Sequence, residues 1–310
     1  MIAIRPSAAR VPHQAGGGSL VPRSPPRRYG ARPNASSVNQ SNHRRMNTNR
    51  RKWDESVPLH VASPSYHVPS FLQGKSTLEP LEVHELGSVR GKSLLHLQCH
   101  FGLDTLSWAR RGATVTGVDF SLPAVRAARG LARRAGIKAR FLQSNVYDLP
   151  DVLEEQFDIV YTGKGAIWWL PDIERWAQVV ARFVRPGGRF LLLEDHPFAE
   201  VFSDEVDGEP RIPYFTSRAI REEYDGTYAT STKMRHRVTY GWIHPVSRVL
   251  SALIENGLGI ERIREYPFCY WQRNPLMTQD RRGYWRLKEN KGMIPLMWSV
   301  TARRKPPGNQ

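Results

Sequence analysis

From Leu94 onward the chain alternates short apolar runs with segments of helical period, and this alternation restricts its fold more than any other feature of the sequence. Leu94 to Leu97 reads as a buried strand, followed by a short helix from Asp104 to Arg111 that Gly112 closes. "ATVTGVD" (Ala113 to Asp119) is a second, β-branched strand, after which Ser121 caps a helix running to Arg134, with Gly136 as its stop. "ARFLQ" (Ala139 to Gln143) and "FDIVYT" (Phe157 to Thr162) supply a third and a fourth strand. A helix from Ile173 to Val184, apolar along Ile173, Trp176, Val180 and Val184, leads through Pro186-Gly187-Gly188 into a fifth strand, Arg189 to Leu193. Strands separated by helices in this order imply an α/β protein with a parallel, doubly wound sheet.

Such sheets bind ligands in the crevice outside the carboxyl ends of their strands. "LLHLQCHFG" therefore places Gln98 to Gly102 at the crevice, and Asp119 ends the next strand 17 residues after Gly102. A carboxylate there is positioned to accept hydrogen bonds from the two hydroxyls of a ribose. The turn offers one glycine where nucleotide-type turns usually have two or three, so the expected backbone is tamer, with side chains taking over polar contacts. Gln98 both donates and accepts. His96, inside the strand, reads as a satisfied core histidine.

Charge is concentrated rather than spread. The net charge is +16, but residues 1–52 hold eleven Arg or Lys and no acid, which leaves +5 for the rest. The first 45 residues, rich in Pro, Gly, Ser and Arg and containing "GGGSLVPRS", read as a disordered extension with Met46 as a natural internal start. The expected organisation is thus an extension over 1–45, a strap over 46–93, and a main domain over 94–310. Absence of a long apolar run or a secretory leader points to a cytoplasmic protein without a membrane span. Cys99 and Cys269 lack metal-ligand spacing, and neither a disulfide nor a metal site is expected.

The series "LLHLQCHFG", "GVDFS", "NVYDLP", "FDIVYT" and "RPGGRFLLLE" resembles the motif set of class I S-adenosylmethionine-dependent methyltransferases. "RKWDE", "GTYA" and "FCYWQR" are similar to a bacterial small-molecule branch of that family, which includes a terpenoid C-methyltransferase of indole-alkaloid biosynthesis. The resemblance spans Asn49 to Arg303. It implies a Rossmann-like seven-stranded sheet ending in an antiparallel strand pair, "GIERIREYPF" and "PLMWSVTARR", with a helix from Pro245 to Asn256 before them and a lid insertion at about 197–244. It also implies S-adenosylmethionine as cofactor, with Gln98, His100, Gly102, Asp119, Phe120, Asn145, Val146, Thr162 and Gly163 as its binding residues. Asn145 would accept from the adenine amino group, Val146 would offer its N–H to the ring, and Thr162 and Gly163 would lie beneath the sulfonium. A cofactor without phosphate also suits a turn without the G-x-G-x-x-G fingerprint.

Tyr214, Phe215, Tyr224, Tyr228, Trp242, Phe268, Tyr270 and Trp271 suggest an aromatic lining for a small hydrophobic or aromatic acceptor, such as a natural-product intermediate. Candidate catalytic residues are Tyr66, from a segment expected to close over the crevice, and Glu194 and His196 after the fifth strand. Two other readings stand beside this one: an RNA-binding protein or RNA methyltransferase using the basic extension, and a catalytically silent cofactor-binding scaffold. The acceptor atom and any homo-oligomer are left open by the sequence.

Overall fold

The computed structural model describes residues 35–202, 209–273, 275–289 and 292–306. It opens with α1 (Ala35–Ala62), α2 (Val68–Leu72) and α3 (Pro80–Leu86). The alternating core follows as β1 (Ser93–Leu97), α4 (Leu103–Arg110), β2 (Thr114–Asp119), α5 (Leu122–Arg134), β3 (Arg140–Gln143), β4 (Phe157–Gly163), α6 (Ile173–Phe183) and β5 (Val184–Asp195). The remainder holds β6 (Ile220–Glu223), β7 (Val238–Gly241), α7 (Val246–Glu255), β8 (Leu258–Tyr266), β9 (Met277–Gln279), β10 (Trp285–Leu287) and β11 (Met297–Arg304).

Seven strands form one sheet in the order β3-β2-β1-β4-β5-β11-β8. The first five are parallel, as their intervening helices require, and β11 runs antiparallel to both of its neighbours, β5 and β8. Of the last two strands, only β11 therefore opposes the sheet. On one face α6 buries Ile173, Trp176, Ala177 and Val180 against Val160, Phe190 and Leu192. On the other, Trp108 of α4 and Leu86 of α3 pack with Leu94, Ile159, Tyr161 and Leu191. Each fully buried side chain of this size contributes about 1.5–3 kcal/mol, which is what fixes the strand register beneath the site. The strand order reverses between β1 and β4, so the crevice opens at their carboxyl ends.

The N-terminal helix differs from expectation. Residues 35–45, read as part of a disordered extension, belong to α1, while residues 1–34 of that extension lie outside the described residues. Beyond Met46, which packs on the main core, α1 turns an inward face that is polar. Asn49, Lys52, Ser56 and His60, spaced three or four residues apart, are each at most 3% exposed.

That polar stripe docks on the insertion between β5 and α7. The Asn49 amide donates to the Tyr240 carbonyl at 2.7 Å and accepts from the Tyr240 N–H at 2.8 Å, acting as a strand partner for β7. Lys52 donates to the carbonyls of Gly226 (2.8 Å) and Tyr224 (3.3 Å) and lies over the Tyr224 ring. Glu55 accepts from the N–H groups of Arg235 and His236, and Ser63 donates to the Ala229 carbonyl. Helix α1 and the β6–β7 ribbon thus form one hydrogen-bonded cap. Lys52 is spent inside this cap rather than offered to an outside anion.

Candidate functional site

The β1–α4 turn adopts the backbone that the missing glycines would have allowed. Gln98 (φ 56°), His100 (φ 50°) and Gly102 (φ 81°) all lie in the left-handed region, which corrects the expectation of a tamer turn. For residues with a Cβ this costs roughly 1–2 kcal/mol each, so other contacts must hold the turn. They are visible. Gln98 Nε2 donates to the Ala166 carbonyl at 2.8 Å, and the His100 N–H donates to Asp119 Oδ2 at 2.8 Å. His100 Nε2 lies 3.0 Å from His60 Nδ1 on the cap. At Gly102 itself no side chain fits, because a Cβ would sit 2.6 Å from the buried Phe141 ring.

Asp119 sits beneath this turn, 7% exposed. Its Oδ1 accepts from the Ser121 N–H at 2.9 Å, which leaves each carboxylate oxygen a further lone pair. Burial, reinforced by the charge of Asp54, pushes its carboxyl up to about 6 despite those two N–H donors. Phe120 follows it, accepting from Gln143 Nε2 through its carbonyl. Asn145 Oδ1 caps the next turn by accepting from the Tyr147 N–H at 3.1 Å, beside the buried Val146. Thr162 and Gly163 end β4, and Thr162 Oγ1 is buried without a hydrogen-bond partner among the described residues. All nine expected binding residues thus lie at or just after the carboxyl ends of β1 to β4.

The three expected catalytic residues fare differently. Tyr66 packs on the β1–α4 turn, 4.7 Å from the Phe101 ring and 5.7 Å from His100. Its hydroxyl bonds to the Tyr228 hydroxyl and reaches His60 Nδ1 at 3.2 Å. Burial pushes its phenol well above the usual range, so it stays protonated. His196 does not present a base: Nε2 bonds to Glu265 at 2.9 Å, and Nδ1 accepts from the Phe198 N–H at 3.1 Å. Glu194 is also occupied. Its Oε1 accepts from the N–H groups of Ala166 (2.8 Å) and Ile167 (3.3 Å), and burial, with the charge of Asp195, holds its carboxyl well above the usual range. It shapes the turn whose Ala166 carbonyl anchors Gln98.

Several residues of the site carried no assigned role in the sequence reading. Trp53 stands edge-on to both His100 (5.1 Å) and Trp169 (5.3 Å). His60 joins the cap to the turn, with Nε2 2.9 Å from Thr227 Oγ1. Burial and then the charge of Lys52 lower it to about 4, so it is neutral at physiological pH. Lys164, after β4, pairs with Asp104 (2.8 Å) and Glu82 (3.0 Å). Burial alone would lower it, yet those two carboxylates raise it, so Lys164 remains a cation and clamps β4 to α3 and α4. The available signals were the 53-to-60 helical spacing and the "GTYA" turn, whose Thr227 and Tyr228 both reach this cluster.

The aromatic residues expected to form one lining separate into groups. Tyr228 joins Tyr66 and His60, whereas Tyr214 and Phe215 cluster with Phe198. Phe268 stacks on Tyr284 with Tyr270 nearby, outside the insertion. Trp242 is buried. Among the described residues no cluster has the composition of a metal site, both cysteines are free and buried, and no helix is long and apolar enough to cross a membrane.

The site has donors and acceptors suited to S-adenosylmethionine. Gln98 Oε1 and Asp54 Oδ1 are buried acceptors without partners among the described residues, and they await donors such as an ammonium or hydroxyls. Comparison with known proteins agrees with this chemistry. Residues 95–192 match the methyltransferase domain family model. The ubiquinone biosynthesis O-methyltransferase of Alkalilimnicola ehrlichii is 35% identical over 120 residues, which is 38% of this chain and 48% of that protein. The chain spans about half the length of the curated relatives it matches. In fold it is similar to an S-adenosylmethionine-dependent methyltransferase from Mesorhizobium loti (TM-score 0.50, 22% identity, 75% of this chain and 100% of that one). It is also similar to the DhpI–SAH complex (TM-score 0.51, 17% identity, 86% and 99%). With its strand order and its crevice, the chain has the fold of S-adenosylmethionine-dependent methyltransferases, and its residues 95–192 match the methyltransferase domain family.

Proposed function

We propose that this protein transfers the methyl group of S-adenosylmethionine to a small hydrophobic or aromatic molecule, in keeping with a role on a natural-product intermediate. The observation that carries this reading is the character of the cap above the cofactor turn. Trp53, Trp169, Tyr66 and Tyr228 surround His60 and His100, and burial lowers both histidines so that they are neutral. A ring-rich cap with neutral histidines favours an apolar acceptor.

When bound, S-adenosylmethionine supplies an electrophilic methyl on its sulfonium, transferred by in-line displacement. Such a step draws most of its acceleration from alignment, to which the cap's rings contribute. The Tyr66 oxygen, fixed by Tyr228 and His60, and the adjoining ring faces stabilise positive charge developing on an acceptor. Neutral His60, whose Nδ1 lies 3.2 Å from the Tyr66 hydroxyl, helps to orient that oxygen. Tyr66→Phe is expected to retain S-adenosylhomocysteine binding by calorimetry while slowing turnover about tenfold or more. His196→Ala is expected to lower the melting temperature while leaving kcat within about threefold of wild type, because its ring holds Glu265 and the Phe198 N–H. A loss of kcat alone in His196→Ala, or full turnover in Tyr66→Phe, would reverse these roles.

The state of Asp119 gives a pH dependence. Its folded carboxyl titrates at about 6, above the ordinary value of 3.8, so between these values the folded protein holds a proton that the unfolded chain has lost. Stability from this group is therefore present below about pH 4 and is lost as pH rises through 6. Binding runs the opposite way, because hydroxyl donors favour the charged carboxylate. Affinity for S-adenosylhomocysteine should be flat above pH 7 and fall below pH 6, approaching tenfold per pH unit. Calorimetry across pH 5–8 in buffers of different ionisation enthalpy checks it: proton release on binding at pH 5.5 is the expected signature.

A further inference from the structure

Asp54 has a place in the fold that neither cap assembly nor core packing explains. It lies in α1 next to Trp53, whose ring packs on His100, and the His100 N–H is one of the two N–H donors to Asp119. Its Oδ1 is shielded from solvent and has no hydrogen-bond partner among the described residues. The neighbouring cap acid, Glu55, differs in accepting from Arg235 and His236. Asp54 also stands close enough to Asp119 for its charge to act there. The cap thus carries a carboxylate beside Trp53, the ring that packs on the His100 turn above Asp119. A buried acceptor left unmatched costs about 1–3 kcal/mol, more when it is charged, and like charges add to that cost. An occupant that offers hydrogen-bond donors to both relieves it.

We propose that Asp54 is a cofactor ligand carried by the cap, pairing with Asp119 so that the two carboxylates each take one hydroxyl of the cofactor's ribose. A vicinal diol has the required chemistry: two O–H donors on adjacent carbons, no acidic proton at neutral pH, and room for one acceptor each. The assignment rests on the reading of this crevice as an S-adenosylmethionine site. It adds a consequence for the cap. Because α1 is bonded to the β6–β7 ribbon through Asn49, Lys52, Glu55 and Ser63 and already touches the turn through His60 and Trp53, a ligand that engages Asp54 ties the whole cap more firmly to the crevice.

The test uses the full chain and two probes, S-adenosylhomocysteine, which has ribose and amino-acid portions, and 5′-methylthioadenosine, which has the ribose alone. Asp54→Ala should weaken both to the same extent, by about tenfold or more, as expected for loss of one charge-assisted hydrogen bond. The melting temperature of the ligand-free variant should hold or rise, since Asp54 Oδ1 has no hydrogen-bond partner among the described residues to lose and a like charge acting on Asp119 is removed. Protection of α1 backbone amides from hydrogen exchange on adding S-adenosylhomocysteine should be present in the wild type and absent in the variant. Unchanged affinity would overturn the proposal. So would a loss confined to S-adenosylhomocysteine, which would assign Asp54 to the ammonium instead, or a fall in ligand-free stability that accounts for the weaker binding. If the wild type binds neither probe, the cofactor reading fails and takes this inference with it, whereas wild-type binding with an indifferent variant removes the inference alone.

Discussion

Asp119→Ala should abolish measurable S-adenosylhomocysteine binding at micromolar concentrations, with an expected weakening of at least tenfold and up to several hundredfold. Two contributions add. On the proposed reading the carboxylate supplies charge-assisted acceptors for ligand hydroxyls, worth about 1.5–3 kcal/mol per bond. It also accepts from the His100 N–H, and so holds a turn in which Gln98 and His100 both have positive φ. Without that acceptor the left-handed conformation loses a compensating bond, and the turn relaxes away from the crevice. Asp119→Asn separates the two effects. An amide oxygen still accepts from the His100 N–H, so the asparagine variant should keep the turn and lose only the charge, binding with intermediate affinity. Equal affinities for alanine and asparagine variants would show that the charge, and not the geometry of the turn, carries the binding. Melting temperatures should move little in either variant, because removing a buried carboxylate that titrates at about 6 relieves a desolvation cost.

The sheet was legible because its residues obey simple periods. β1, β2, β4 and the Phe190–Leu193 stretch of β5 are largely apolar or β-branched on both faces, as strands covered by helices on each side must be, and Gly112, Gly136 and Gly257 all have positive φ where helices were expected to end. The place of Asp119 at the end of β2 was legible for the same reason: it needs only a strand end and a fixed distance from the preceding turn. The turn itself was misread because a glycine count reports which backbone shapes are free of cost, not which are used. Gln98 and His100 use the glycine shape and hold it through Ala166, Asp119 and His60, contacts 19 to 68 residues away that no local pattern records. Helix α1 was missed by an inverted pattern. Amphipathic readings look for an apolar stripe, and the buried stripe here is Asn49, Lys52, Ser56 and His60, whose partners lie in the insertion at 224–240. His196 and Glu194 stand at the expected strand end but turn to Glu265 and to the 165–167 turn, because position fixes where a side chain starts and packing decides where it points.

Gly102→Ala should be the most destabilising single-methyl change in the cofactor turn. The native φ of 81° puts alanine in the left-handed region at a cost of roughly 1–2 kcal/mol. The added Cβ would meet Phe141 Cε1 at 2.6 Å and Cζ at 2.7 Å, with the Ala128 Cβ at 3.0 Å behind it. Phe141 is 2% exposed and pinned between the turn and Gly117, where the same ring leaves no room for a Cβ either, so it cannot swing aside. Overpacking of this kind costs about 1–3 kcal/mol, giving about 2–5 kcal/mol in all and a drop in melting temperature of roughly 5–15 °C. The two costs can be told apart by shrinking the ring. Phe141→Leu alone should destabilise by about 1–2 kcal/mol through the cavity it leaves. Combined with Gly102→Ala it should recover the steric part, so that the double variant is more stable than the sum of the single changes by about 1–2 kcal/mol in urea denaturation. Simple additivity would mean that the ring is not what alanine meets, and that backbone conformation alone requires glycine at this position.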